Sequence, residues 1–245
     1  MKKFVYILFT LIFLFGLGIF LYPYFYDYTF DKRASEVIDD FIQNLPEQES
    51  DSKVQVPDGD QPEEPEKAAV YPELYSALED YNRSLAEGAQ ISLNSNTAYK
   101  QFPVSLKDYG LKDEMIGYIS LPSINMELPL YLGASNEHLK IGVAVMGYTS
   151  APIGGSSTNC VIAGHNNWNG AGRFRYIKEL KTGDEAFITT FWGQRRYVVT
   201  HAVIINDNDF ASIYIQTGKD MITLMTCHKE NGIIKRYLVF CESAE

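Results

Sequence analysis

Three hydrophobic regimes follow one another along the chain. Residues 4–26 form an uncharged run dominated by Phe, Leu, Ile and Tyr. At about 1.5 Å per helical residue, a run of that length crosses a hydrocarbon core of roughly 30 Å. In the second regime the apolar positions recur at helical spacing. Val37, Ile38, Phe41, Ile42 and Leu45 mark a weak amphipathic helix over 31–45, and Leu74, Leu78, Tyr81 and Leu85 share one face of a short helix over 71–89. The third regime begins near residue 115. Short runs rich in β-branched and aromatic residues predict strands at 115–121, 126–132, 160–163, 185–191, 196–205, 221–226 and 234–241, each bounded by Gly, Pro, Asn or Asp. Only short helices fit between them, at 136–141 and 173–180. So many strands with so little helix predict a mainly β fold, a closed barrel or a sandwich rather than a doubly wound α/β sheet.

Charge placement changes the picture of the N-terminal part. The formal net charge is −10, yet residues 31–87 hold 16 acids against 5 bases while residues 88–245 hold 14 of each. The acidity therefore belongs to one segment. Its centre, 46–66, contains Pro46, Pro57, Pro62 and Pro65, many acids and no aromatic residue. Such a stretch buries too little surface to offset its ordering entropy and is expected to stay extended, as a tether. Lys2 and Lys3 precede the uncharged run, and Tyr22, Tyr24, Tyr26 and Tyr28 gather at its far end, where an aromatic belt belongs. A single-pass membrane anchor via residues 4–26 is expected, with the N-terminus cytoplasmic and the rest of the chain outside. A cleaved signal peptide is the rival, but its apolar core is normally shorter, roughly 7–15 residues, and ends in small residues. Here the corresponding place holds Leu21-Tyr22-Pro23-Tyr24-Phe25.

An acidic chain with no basic face does not bind nucleic acid through its phosphates, so no nucleic-acid partner is expected. No phosphate-binding Gly loop, HExxH helix, paired CxxC or EF-hand run occurs, and neither a cofactor nor a metal site is expected. Three cysteines do not make a disulfide framework. Cys160 and Cys241 stand in the apolar runs CVIAG and RYLVFC and read as core residues, with a disulfide between them left open. Cys227 differs. It closes the apolar run 221–226 and is followed by His228-Lys229-Glu230-Asn231-Gly232, so it stands where a strand leaves the core. A thiol there is accessible, and thiolate character, favoured beside a cation, makes a thiol nucleophilic.

A nucleophilic Cys needs a proton donor for its leaving group and a stabiliser for the oxyanion. Of the four histidines, His138 reads as a solvated surface group and His201 as a structural strand residue. His228 adjoins Cys227, but neighbours on a strand point to opposite faces. His165 opens the loop HNNWNG after the buried run CVIAG, again at a strand mouth, and geometry favours it. Arg236 lies nine residues past Cys227 across an Asn231-Gly232 turn, as in a hairpin whose return strand brings it back beside the thiol. Its fixed fork of donors suits a substrate carbonyl or a developing oxyanion; a plain surface arginine is the alternative.

These residues resemble a known family. TLMTC at 223–227 is similar to the TLxTC signature of sortases, the membrane-anchored cysteine transpeptidases of Gram-positive bacteria, and it comes with AGHNN at 163–167 and Arg236 on the next strand. The resemblance runs from about Tyr81 to Cys241 and includes GYISLPSINMELPLYLGAS (117–135), TSAPIGGSST (149–158) and LKTGD (180–184). It implies a closed eight-stranded β-barrel with His165, Cys227 and Arg236 as catalytic residues and Thr226 shaping the substrate pocket. Tyr81-Asn82, LPLYLGAS and PIGGSST look most like class C, the pilin polymerases. The Asp-Pro-aromatic lid motif usual in that class does not occur between 82 and 115, and Gly164-His165-Asn166 stands where Ala-His-Arg is usual.

The implied division is an anchor over 1–30, an acidic spacer over 31–70, a helical, lid-like segment over 71–114 and a catalytic barrel over 115–245. The implied reaction is cleavage of an LPxTG-like sorting signal between Thr and Gly through a thioacyl intermediate. Transfer would follow to an amine, a pilin lysine or, in an anchoring sortase, a cell-wall peptide. A non-enzymatic tethered adhesin would share the anchor and the β-domain without needing the three site residues. A cysteine hydrolase would share the nucleophile.

Overall fold

The computed structural model of the chain describes residues 2–45, 70–88, 90, 102–166 and 173–244. Eight strands close into one barrel: β1 (Met115–Leu121), β2 (Met126–Leu132), β3 (Val143–Val145), β4 (Thr158–Gly164), β5 (Glu185–Thr190), β6 (Gly193–Asn206), β7 (Asp220–Glu230) and β8 (Ile233–Ser243). Their order around the barrel is β1-β2-β3-β4-β7-β8-β6-β5, with β5 returning to pair β1. Closure gives every strand a neighbour on each side, although β6 beyond residue 200 pairs with β8 alone.

Burial follows the sequence pattern. β5 alternates, turning Ala186, Ile188 and Thr190 inward. β4 is buried throughout and β7 nearly so, because β4 is covered on both faces and lies parallel to β7 at the centre of the wall. β3 has only three residues, too few to stand out as a strand in the sequence. It is fixed by parallel pairing to β2 and antiparallel pairing to β4.

Strand direction defines two rims. β4 and β7 run the same way and end together, with Gly164 opposite Thr226, while β8 starts at that end, with Arg236 opposite Cys227. We call this the upper rim. Thr158 and Asp220, at the starts of β4 and β7, mark the lower rim. There the Asp220 carboxylate accepts hydrogen bonds from the Gly155 N–H, the Thr158 hydroxyl and the Tyr197 hydroxyl, and it pairs with Arg195 at 3.5 Å.

Helix α1 spans Lys2–Gln43 without interruption. Its apolar N-terminal part is exposed, and the helix is long and apolar enough to cross a membrane. Its C-terminal part, helical as the pattern over 31–45 predicts, lies against the barrel. Phe30, Ala34, Ile38 and Phe41 are buried, Phe41 meets the rings of Tyr118 and Phe191, and Asp27 pairs with Arg175 at 3.2 Å. The amphipathic stretch at 31–45 is thus a continuation of the apolar helix, docked on the barrel wall. The acidic segment 46–69 lies outside the described residues.

α2 (Pro72–Ala86) buries Leu74, Leu78 and Leu85 together with Asn82. The side chain of Asn82 accepts from the Ala151 N–H at 2.7 Å and donates to its carbonyl at 3.4 Å, and the Tyr81 hydroxyl donates to the Thr149 carbonyl. Tyr81-Asn82 therefore fastens α2 to the loop that precedes β4. α3 (Asn136–Ile141) lies in the β2–β3 crossover and is capped by Ser135, which accepts from the His138 N–H.

Candidate active site

The parallel β4–β7 pairing and the antiparallel β7–β8 hairpin bring three distant segments to the upper rim. Arg236 is the cross-strand partner of Cys227, and its Nη1 donates to Cys227 Sγ at 2.7 Å. His165 follows the last residue of β4 and lines the same cleft as Cys227 and Arg236, a cavity of 430 Å³ also bounded by Ser135, Leu139, Met225 and Thr226. The structure thus brings all three sequence-predicted catalytic residues to one cleft.

Local contacts hold this arrangement. Thr226 is buried, and its hydroxyl donates to the Gly164 carbonyl at 2.8 Å, tying β7 to the residue before His165. Thr226 lines the cleft, but its hydroxyl is engaged with backbone. The Asn166 amide donates to the Cys227 carbonyl at 2.5 Å and fixes the other side of His165 to the same strand. Gly164 packs against buried Phe174 so closely that a Cβ there would lie 2.5 Å from the ring. Only glycine allows that approach. Partial burial lowers the pKa of His165 from its ordinary value, because desolvation disfavours imidazolium.

The other cysteines and histidines sort differently. Cys160 and Cys241 are buried and free. Both flank Ile222 on neighbouring strands, two strand spacings or about 10 Å apart, beyond the reach of a disulfide. Burial pushes the Cys160 thiol pKa far up and that of Cys241 up to about 12, so both are inert as nucleophiles. His138 is not a solvated group: its Nδ1 lies 2.7 Å from the Gly133 carbonyl and its ring stacks on Tyr131. His201 lies on β6 but is exposed, stacked on Phe240. His228 pairs across the strands with Lys235 rather than Arg236, and its Nδ1 lies 3.2 Å from Lys178 Nζ.

Sequence reasoning missed the roles of Asn166, Ser135 and Leu139. AGHNN and LPLYLGAS draw attention to their neighbourhoods, but the Asn166 contact depends on the β4–β7 pairing and the place of Ser135 and Leu139 in the cleft on the β2–β3 crossover. No cluster of His, Cys, Asp or Glu able to hold a metal occurs among the described residues.

Residues 119–244 match the sortase domain family model, half of the whole chain. The chain belongs to the sortase family. Among known sortases, it is 31% identical over 128 residues to Sortase A of Bacillus anthracis and 27% identical over 127 residues to Sortase D of Bacillus subtilis. Those alignments cover 52% and 51% of this chain and 59% and 61% of the relatives, so the chain spans about three fifths of the curated relatives it matches. Among solved structures, sortase C from Clostridium perfringens SM101 superposes with a TM-score of 0.63 at 27% identity, covering 86% of this chain and 99% of that one. Sortase C1 of GBS Pilus Island 1 gives 0.61 at 27% identity, over 71% and 83% of the two chains. A Clostridium perfringens sortase C solved with the C-terminal cell wall sorting motif gives 0.63 at 29% identity, covering 86% of this chain and 100% of that one. The eight-stranded sortase barrel expected from the sequence is the fold observed, and its solved neighbours are class C-like.

Proposed function

We propose that this sortase is a membrane-anchored, extracellular cysteine transpeptidase acting on an LPxTG-like sorting signal. The observation that carries the reading is the 2.7 Å contact of the Arg236 guanidinium with Cys227 Sγ in a cleft shared with His165.

In this reading the Cys227 sulfur attacks the Thr carbonyl carbon of the signal. Arg236, a fixed cation at the sulfur, stabilises the charge that develops on the oxygen. Collapse of the tetrahedral adduct breaks the C–N bond to Gly, and His165 gives its proton to the departing amine, leaving a thioester on Cys227. A second amine attacks that thioester, its proton returns to His165, and the sulfur leaves. Because burial favours neutral His165, the form carrying the proton is the minor one at neutral pH. Thr226 lines the substrate cleft and shapes it through the bond of its hydroxyl to the Gly164 carbonyl. α1 serves as the span, with Lys2 and Lys3 on the cytoplasmic side.

The class C-like neighbours, one of them named for a pilus island, favour a pilin lysine as the accepting amine. A cell-wall peptide amine, as in an anchoring sortase, is the second reading, favoured by the similarity to Sortase A of Bacillus anthracis. The deciding experiment offers the full chain an LPxTG peptide with a pilin domain or a glycine-type amine and follows the products by mass. Ligation to either amine is expected, with loss of at least a thousandfold in Cys227→Ala. Persistent ligation in that variant, or hydrolysis alone in the parent, refutes the reading.

A further inference from the structure

The β7–β8 hairpin reaches past the upper rim and ends in two exposed isoleucines. Ile233 and Ile234 are 62% and 56% exposed, and Lys229 and Lys235 flank them, Lys235 paired with Glu230. A tip of bare aliphatic side chains bracketed by lysines suits the boundary between acyl chains and phosphate headgroups.

α1 gives that tip a direction. Phe41 meets Tyr118, midway along β1, and Phe191, just past the lower end of β5, whereas Asp27 is held by Arg175 near the upper rim. The helix therefore climbs the β1–β2 wall, and its uncharged residues leave the barrel at the upper end. α1 runs through residues 26–30 without a break, so the segment that leaves the barrel continues the direction of the docked part. The 3-10 helix Arg173–Glu179 bridges the barrel mouth, from Arg175 on Asp27 to Lys178 on His228. Three residues of such a helix cover about 6 Å, which with side chains sets Asp27 and His228 roughly 15 Å apart. From His228 the strand continues two residues, about 7 Å, to the hairpin turn. The point where the span meets the barrel and the isoleucine tip thus project from the same end.

We propose that the β7–β8 hairpin tip, Ile233 and Ile234 with Lys229 and Lys235, seats in the headgroup layer of the membrane crossed by α1, so that the rim bearing Cys227 faces lipid. The proposal rests on α1 being a membrane span and is independent of the reaction. A sorting signal would then enter the cleft from along the bilayer surface.

The test places single tryptophans in the full chain, reconstituted in phosphatidylcholine/phosphatidylglycerol vesicles with or without brominated acyl chains. Emission is read above that of the native Trp168 and Trp192, present in every variant. Ile234→Trp and the span variant Phe13→Trp are expected to lose at least half of their added emission in brominated lipid. Gln194→Trp, exposed at the lower end, is expected to lose none. Quenching at 13 without quenching at 234 overturns the hairpin contact, leaves the anchor standing and frees the tip for a protein partner. Quenching at neither position overturns the anchor and the proposal together. Quenching at 194 as well overturns the upright orientation. No arm requires ligation, so transpeptidation is judged separately.

Discussion

Gly164→Ala tests whether the close packing behind His165 holds the site. An added Cβ would lie 2.5 Å from Cγ and Cδ1 of Phe174 and 2.6 Å from its Cβ. Carbon atoms prefer about 3.5–4.0 Å, so one partner must move by roughly 1 Å. Phe174 is only 1% exposed and has no open space to enter. Overpacking of this kind costs about 1–3 kcal/mol, equivalent to a fall of roughly 2–12 °C in Tm for a domain of this size. The strain falls on the residue before His165, whose carbonyl holds Thr226, and a displacement near 1 Å at a reacting group can cost about a hundredfold in rate. Thermal unfolding of the full chain in detergent, followed by circular dichroism, and peptide turnover measure the two effects. Phe174→Ala alone should cost about 3–5 kcal/mol through its cavity. In the double variant the new methyl group no longer clashes, so the combined loss should fall short of the sum by about 1 kcal/mol or more. A Gly164→Ala protein with unchanged Tm and turnover, or strictly additive losses, would refute the reasoning.

Arg236→Lys keeps the charge and loses the planar fork at Cys227 Sγ, so kcat/KM should fall by roughly 10²–10³ while the fold is retained; an unchanged rate removes Arg236 from the oxyanion role. His165 has a lowered pKa in the folded state, so the unfolded chain takes up that proton first, and acidification from about 6.5 downward costs stability. His165→Gln should therefore flatten part of the decline in urea midpoint between about pH 7 and 5, and an identical slope in both proteins contradicts the burial assigned to the imidazole. Asn82→Leu leaves the Ala151 N–H buried without its acceptor, at a cost of about 1–3 kcal/mol. Faster proteolysis between α2 and the barrel should accompany that loss, and a protein as stable and as resistant as the parent would refute the role given to Tyr81-Asn82.

The sequence determined the identity of the elements, because period-2 and period-3.6 patterns report which face of a strand or helix is buried. The apolar run at 4–26, β1, β2 and α3 stand where the pattern puts them, and β6, β7 and β8 are only longer than predicted. The placement of Cys227 and His165 at strand mouths was also legible, since each follows an apolar run, and the Asn231-Gly232 turn pointed to a hairpin that returns Arg236 to Cys227. The tertiary structure decided everything that depends on which strands become neighbours. β3 is too short to carry a pattern and exists through its two partners. The register setting Gly164 beside Thr226 joins residues 62 apart, and no local signal encodes a parallel pairing across that distance. The docking of Phe30, Ala34, Ile38 and Phe41 on the barrel was equally hidden. A weak amphipathic stripe shows that a helix has a face to bury, while the surface that receives it exists only once the barrel has closed.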